Sequence, residues 1–132
     1  DDVMYVSLHG DPTRAYPYTV GYTDETGSGR GLGSTVNVPL AARTDDDVYV
    51  NALADAVAKI QAFGAQMVVV SLGLDTFITD PICDMSLTTE GFRRSGEVVA
   101  ALGLPTVVLQ EGGYDVDKLG INVQSWLVGL GV

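Results

Sequence analysis

At 132 residues the chain has room for one domain rather than two. Its 46% hydrophobic content is enough for a real core and argues against disorder throughout. A net charge of −10, from 17 Asp and Glu against 7 Lys and Arg, disfavours nucleic acid and anionic membrane partners and favours cationic ligands, although many soluble proteins are simply acidic.

The single cysteine, Cys83, excludes an intrachain disulfide, and nothing suggests an oxidising compartment. Asp1-Asp2-Val3 lacks the basic region of a signal peptide. The most apolar stretches, Met67–Leu74 and Val98–Leu109, are short and interrupted by Ser, Gly or Pro, so neither would span a bilayer. A soluble, cytoplasmic protein is expected.

In chain order, Val3–Leu8 is the first β-rich run. A stretch from 10 to 33 follows with no helical or strand period, carrying Tyr16-Pro17-Tyr18 and then Gly21, Gly27, Gly29, Gly31 and Gly33. A loop that long inside a compact domain is functional or flexible. Its glycines do not link a strand to a helix and lack a Gly-Lys-Ser/Thr ending, so nucleotide binding there is rejected. Ser34–Leu40 is the second strand.

A helix is predicted from Asp45 to Phe63, with Thr44 and Asp47 at capping-box spacing, Gly64 as its stop, and Val50, Leu53, Val57 and Ile60 as its buried stripe. Met67–Ser71 and Thr106–Gln110 are nearly all apolar, the pattern of parallel strands covered on both faces. Between them a helix from Thr89 to Leu102 presents Phe92, Ser95, Val99 and Leu102 on one face. A last helix, Asp117–Leu130, buries Leu119, Val123, Trp126, Leu127 and Leu130. Alternating strands and helices over residues 1–132 predict one α/β domain, a parallel sheet flanked by helices.

Sites on open parallel sheets lie beyond the carboxyl ends of the strands. Polar residues begin there: Asp75 after the third strand, and Glu111-Gly112-Gly113-Tyr114 after the fourth. Asp75 is either a metal-ligating carboxylate or a turn cap. Tyr114 is either a phenol aimed at a developing oxyanion or an ordinary tyrosine after a glycine turn. His9 is the only histidine, and its place after a core strand suits a hydrogen-bonded structural residue. A hydrolase built on Cys83 or Ser71 lacks a matched base.

Taken in order, these segments resemble the histone deacetylase superfamily, in particular its bacterial acetylpolyamine amidohydrolase branch. The resemblance rests on Val3–Pro12, Tyr16-Pro17-Tyr18, Asp24–Gly27, Val36–Leu40, Ser71–Thr76 with Asp80-Pro81, and Glu111–Tyr114, and covers nearly the whole chain. It implies an arginase/deacetylase-like α/β fold and zinc-dependent hydrolysis of an acetylated amine, either acetylpolyamine or acetyl-lysine. It implies that Asp75 is a zinc ligand and Tyr114 the catalytic donor. Ser7 and Leu8 match one potassium or sodium site and Val3 a second. Tyr16, Gly112 and Gly113 match the walls of the substrate tunnel. His9 matches neither a zinc ligand nor the base.

The family's Asp-x-His zinc pair and its paired histidines lie upstream of residue 1. The resemblance thus implies the C-terminal half of a deacetylase, truncated on its N-terminal side and inactive alone, with a raw sheet edge. Completion by an N-terminal half, or a homo-oligomer, are the partners it allows. The alternative is a non-catalytic binding or assembly module.

Overall fold

The third and fourth strands and the helices between and after them form as the periodicity predicts, and they fix the geometry of everything else. The computed structural model describes residues 2–132. In it β1 (Tyr5–Gly10), β2 (Thr35–Leu40), α1 (Asp46–Phe63), β3 (Val68–Leu72), α2 (Thr89–Ala100), β4 (Thr106–Gln110) and α3 (Val116–Leu130) follow one another in that order. The bounds differ from the sequence reading by one or two residues at most ends. At α1 the cap differs as well: Asp45, not Thr44, accepts the Val48 N–H, at 3.0 Å. Thr44 is buried and its hydroxyl donates instead to the Ala41 carbonyl at 2.8 Å.

All strand pairing is parallel. Among the described residues it is divided between two pairs, β1 with β2 and β3 with β4, which do not hydrogen-bond to each other. Leu8, Val38, Leu40, Val70, Leu72 and Val108 share the face that packs on the helices. Phe92 and Val99 of α2 and Trp126 of α3 close the core from the other side. Helices α2 and α3 cross closely: a Cβ on Gly96 would lie 2.2 Å from the Trp126 carbonyl oxygen, and one on Gly129 would lie 1.9 Å from that of Arg93.

The opposite face differs from the reading of β3 and β4 as covered on both sides. Val69 is 59% exposed and Leu109 51%, and their neighbours Met67 and Val107 are exposed beside them. On the β1–β2 pair the 11–33 segment partly covers this face, bringing Pro17, Val20 and Glu25 over Tyr5, Ser7, His9 and Asn37.

Between the pairs runs a cleft. At one end Asp2–Val6 stand opposite Met67–Val69, and at the other Met4–Leu8 stand opposite Val68–Gly73, so β1 and β3 run in the same direction. Cavities of about 620 and 340 Å³ occupy the two ends. Leu53 and Val57 of α1, Val99 of α2 and Trp126 of α3 line the second. No helix among the described residues is long and apolar enough to cross a membrane.

Candidate active site

The chains leaving β3 and β4 stay paired beyond the strands. The Glu111 N–H donates to the Leu72 carbonyl and the Leu74 N–H to the Gly112 carbonyl, both at 2.9 Å. This lays Gly112 against the Asp75 turn. A Cβ built on Gly112 would lie 2.7 Å from Asp75 Oδ2, and one on Gly73 would lie 3.0 Å from Oδ1. The two glycines therefore make the hollow in which the carboxylate rests. Gly113, at φ 139°, packs on the same turn: its Cβ would meet Leu119 at 2.7 Å and Leu74 at 3.1 Å. A side chain at Gly112 would have to displace the Asp75 carboxylate, and one at Gly113 would have to displace Leu119.

Asp75 is half-buried, and burial pushes its carboxyl above the usual carboxylate range, with the nearby Asp80 charge acting in the same direction. A carboxylate held partly desolvated among glycines is well suited to meet a cation. Beside it the Thr76 hydroxyl is buried with no hydrogen-bond partner, the one such side-chain atom among the described residues. The Tyr49 hydroxyl end is also enclosed here. Burial, then the Asp75 charge, pushes its pKa up to about 12. The half-buried Cys83 thiol is likewise pushed up by burial, the opposite of what a nucleophilic cysteine needs.

Tyr114 stands two residues past Gly112 and is 53% exposed. Its backbone N–H donates to Asp80 Oδ2 at 2.7 Å. The structure thus gathers Asp75, Gly112, Gly113 and the Tyr114 backbone at one sheet end. Ser7 and Leu8 line the β1 side of the cleft, opposite Gly73 at this same end. Val3 lies before β1, 77% exposed, at the cleft's other end. Tyr16 is 85% exposed in the long loop, its ring edge-on to Tyr18 at 6.3 Å.

His9 is a structural residue. Its Nε2 donates to the Gly21 carbonyl at 2.9 Å, and its Nδ1 is hydrogen-bonded with the Ser7 hydroxyl at 2.8 Å. The pair pins the long loop to β1. Glu25 does similar work, accepting from the Gly21 and Tyr22 N–H groups at 2.6 and 3.1 Å.

Among the described residues no three His, Cys, Asp or Glu side chains come together as a metal set. Asp75 has the right chemistry for one zinc ligand, but one carboxylate does not make a zinc site. The residues of this chain therefore fit part of such a centre and not the whole.

The histone deacetylase domain matches residues 1–130. The chain belongs to the histone deacetylase family. It is 46% identical over 129 residues to an acetylpolyamine amidohydrolase of Mycoplana ramosa, covering 98% of this chain and 38% of that protein. It is 36% identical over 115 residues to histone deacetylase 8 of Danio rerio, covering 86% of this chain and 30% of that one. The crystal structure of an acetylpolyamine aminohydrolase from Burkholderia pseudomallei matches with a TM-score of 0.94 at 42% identity, over 98% of this chain and 38% of that one. The chain therefore spans under two-fifths of the length of these relatives. The match confirms the deacetylase-type α/β fold.

Asp80 is the site residue least visible beforehand. It entered the sequence reading only through the Asp80-Pro81 dipeptide, which by itself signals a turn. Nothing in the sequence links it to a residue 34 positions away.

Proposed function

We propose that this chain is the C-terminal portion of a zinc-dependent deacetylase that hydrolyses acetylated amines, and that it is inactive until an N-terminal portion completes it. The observation that carries this reading is the joined pair of loops after β3 and β4, with the Asp75 carboxylate resting on Gly112 two residues before Tyr114.

Asp75 would provide one zinc ligand, the others coming from outside these residues. Zinc in a completed set would supply Lewis acidity at the substrate carbonyl. Tyr114 would donate its phenolic proton in a hydrogen bond to the carbonyl oxygen as that oxygen gains charge. The half-exposed ring can reach a substrate without first shedding an internal partner. Gly112 and Gly113 would form one wall of the substrate passage and Tyr16 part of its mouth. Ser7 with Leu8, and separately Val3, would serve potassium or sodium ions that steady the sheet ends. The charge of −10 favours an acetylated polyamine over an uncharged amide.

The cleft between β1 and β3 is where completion would occur. Both bordering edges are unpaired, they point the same way, and α1, α2 and α3 provide apolar side chains beneath them. A strand from the N-terminal portion would pair on both sides at once. The orphaned Thr76 hydroxyl also fits a site still awaiting neighbours.

The test is turnover of acetylputrescine and an acetyl-lysine peptide by the protein extended N-terminally to the length of its relatives and loaded with zinc. Turnover of either supports the enzyme, and turnover of neither sinks it. The second reading is a non-catalytic binding or assembly module that keeps this part of the fold without a zinc site. Zinc content of the purified extended protein separates the two, since the module would carry none.

A further inference from the structure

We propose that Asp80 is the positioning residue for Tyr114, fixing the tyrosine loop relative to the Asp75 turn through one shared carboxylate. The inference rests on the reading of Tyr114 as the proton donor, and it identifies what aims that donor.

Asp80 is 8% exposed, and its carboxylate is divided between two loops. Oδ1 accepts the Ile82 N–H at 2.9 Å, within its own loop. Oδ2 accepts the N–H groups of Tyr114 at 2.7 Å and Asp115 at 3.2 Å, on the other. Bonds from N–H groups to an ionised oxygen are roughly twice as strong as neutral ones and more directional. A buried carboxylate stripped of water needs such donors, so neither partner is readily exchanged for solvent.

The tyrosine loop needs an external anchor. Gly112 and Gly113 precede Tyr114, and Gly113 adopts φ 139°, so this stretch has little stiffness of its own. Tyr114 is half-exposed and its side chain makes no hydrogen bond among the described residues, so its aim is set where its backbone is held. Asp80, by contrast, stands on a firm base. Its N–H donates to Phe77 at 2.9 Å, and residues 76–78 bridge to Leu87 through bonds of 3.1 and 2.9 Å. That base begins one residue after Asp75. A second tie, from the Thr79 hydroxyl to the Asp115 carboxylate, joins the same two loops. The ligand carboxylate and the tyrosine are thus held in mutual register by Asp80.

The experiment uses Asp80→Asn, Tyr114→Phe and the double variant in the N-terminally extended, zinc-loaded protein, with acetylputrescine as substrate. Misplacing a reacting group by about 1 Å can cost roughly 100-fold, so Asp80→Asn is expected to lower kcat by about that much with KM within about twofold. A residue acting through Tyr114 adds nothing once the phenol is gone, so the double variant should match Tyr114→Phe alone. Additive losses, or an unchanged kcat, overturn the proposal. A second readout needs no activity. In the N-terminally extended protein the Tyr114 and Asp115 amides should exchange hydrogen about tenfold faster in Asp80→Asn, while α2 and α3 amides keep their rates. Unchanged exchange at those two amides overturns the proposal even in an active enzyme. If the parent protein turns over no acetylated amine, the deacetylase reading fails, and this exchange measurement still decides whether Asp80 holds the loop.

Discussion

The Asp75 carboxylate sits where a side chain on Gly112 would be: a Cβ there would fall 2.7 Å from Oδ2 and 2.9 Å from Cγ. Gly112 is not among the residues with positive φ, so alanine is acceptable to the backbone and the collision alone decides the outcome. Gly112→Ala is expected to displace the carboxylate and reduce zinc-dependent turnover of the completed enzyme by roughly 100-fold, the cost of about 1 Å of misplacement. Comparing kcat/KM with the unfolding midpoint checks this, since a site effect leaves the midpoint within a few degrees.

The raised pKa of Asp75 makes the metal-free chain pH-sensitive in a defined direction. Between the unfolded value near 3.8 and the higher folded value, the folded state holds more protons, so stability falls as pH rises through that window. Asp75→Asn should therefore raise the neutral-pH unfolding temperature by about a few degrees. The gain should vanish below the unfolded pKa. Thermal melts of both proteins across acid and neutral pH test the sign.

Tyr49 should ionise late. With its pKa at about 12 against an ordinary 10.0, one of six tyrosines should ionise late in an ultraviolet titration, and Tyr49→Phe should remove that phase. A late phase that survives in Tyr49→Phe would place the enclosed phenol elsewhere.

Two glycines of α3 should respond oppositely to alanine. At Gly129 the new Cβ would fall 1.9 Å from the Arg93 carbonyl oxygen, a backbone atom that cannot swing aside, and forced overpacking of this kind costs about 3 kcal/mol or more. At Gly120 nothing lies within 4 Å, so the helical preference of alanine should stabilise by roughly 0.5–1 kcal/mol. Urea denaturation of both variants measures the contrast.

The outer face of β3 and β4 should make the isolated chain self-associate. Val69 pairs with Val107 in register, and Leu109 lies exposed on the same face. Val107→Lys should shift sedimentation toward monomer without lowering helix content. An already monomeric parent would refute this.

The sequence made the elements plain wherever periodicity and punctuation agreed. Gly64 ends α1 in a left-handed conformation, and Phe92, Ser95 and Val99 are buried together as their spacing required. Asp75 and Tyr114 stand out as candidates because strand ends on a parallel sheet are where ligands bind. Burial was less legible. The run Val68-Val69-Val70 is apolar on both sides, but only one side is covered here, because composition records what a strand prefers and not which partner lies beside it. The α1 cap shifted by one residue because Asp45, Asp46 and Asp47 all offer an acceptor and only backbone geometry chooses among them. Asp46 went further afield, accepting both the N–H and hydroxyl of Thr88 at 2.8 and 2.6 Å, a tie between the starts of α1 and α2 that no local pattern encodes.

The like-directed edges of β1 and β3 also bear on how such a protein can be divided. A ribbon added to an outside edge gains one row of amide bonds, whereas one threaded between two parallel rims gains two and meets side chains above and below. If a strand of an N-terminal portion fills that gap as proposed, severing the polypeptide at that boundary would not separate two self-sufficient lobes. It would produce interlocking halves, and a reporter that lights only when both are made in the same cell could be built on that junction.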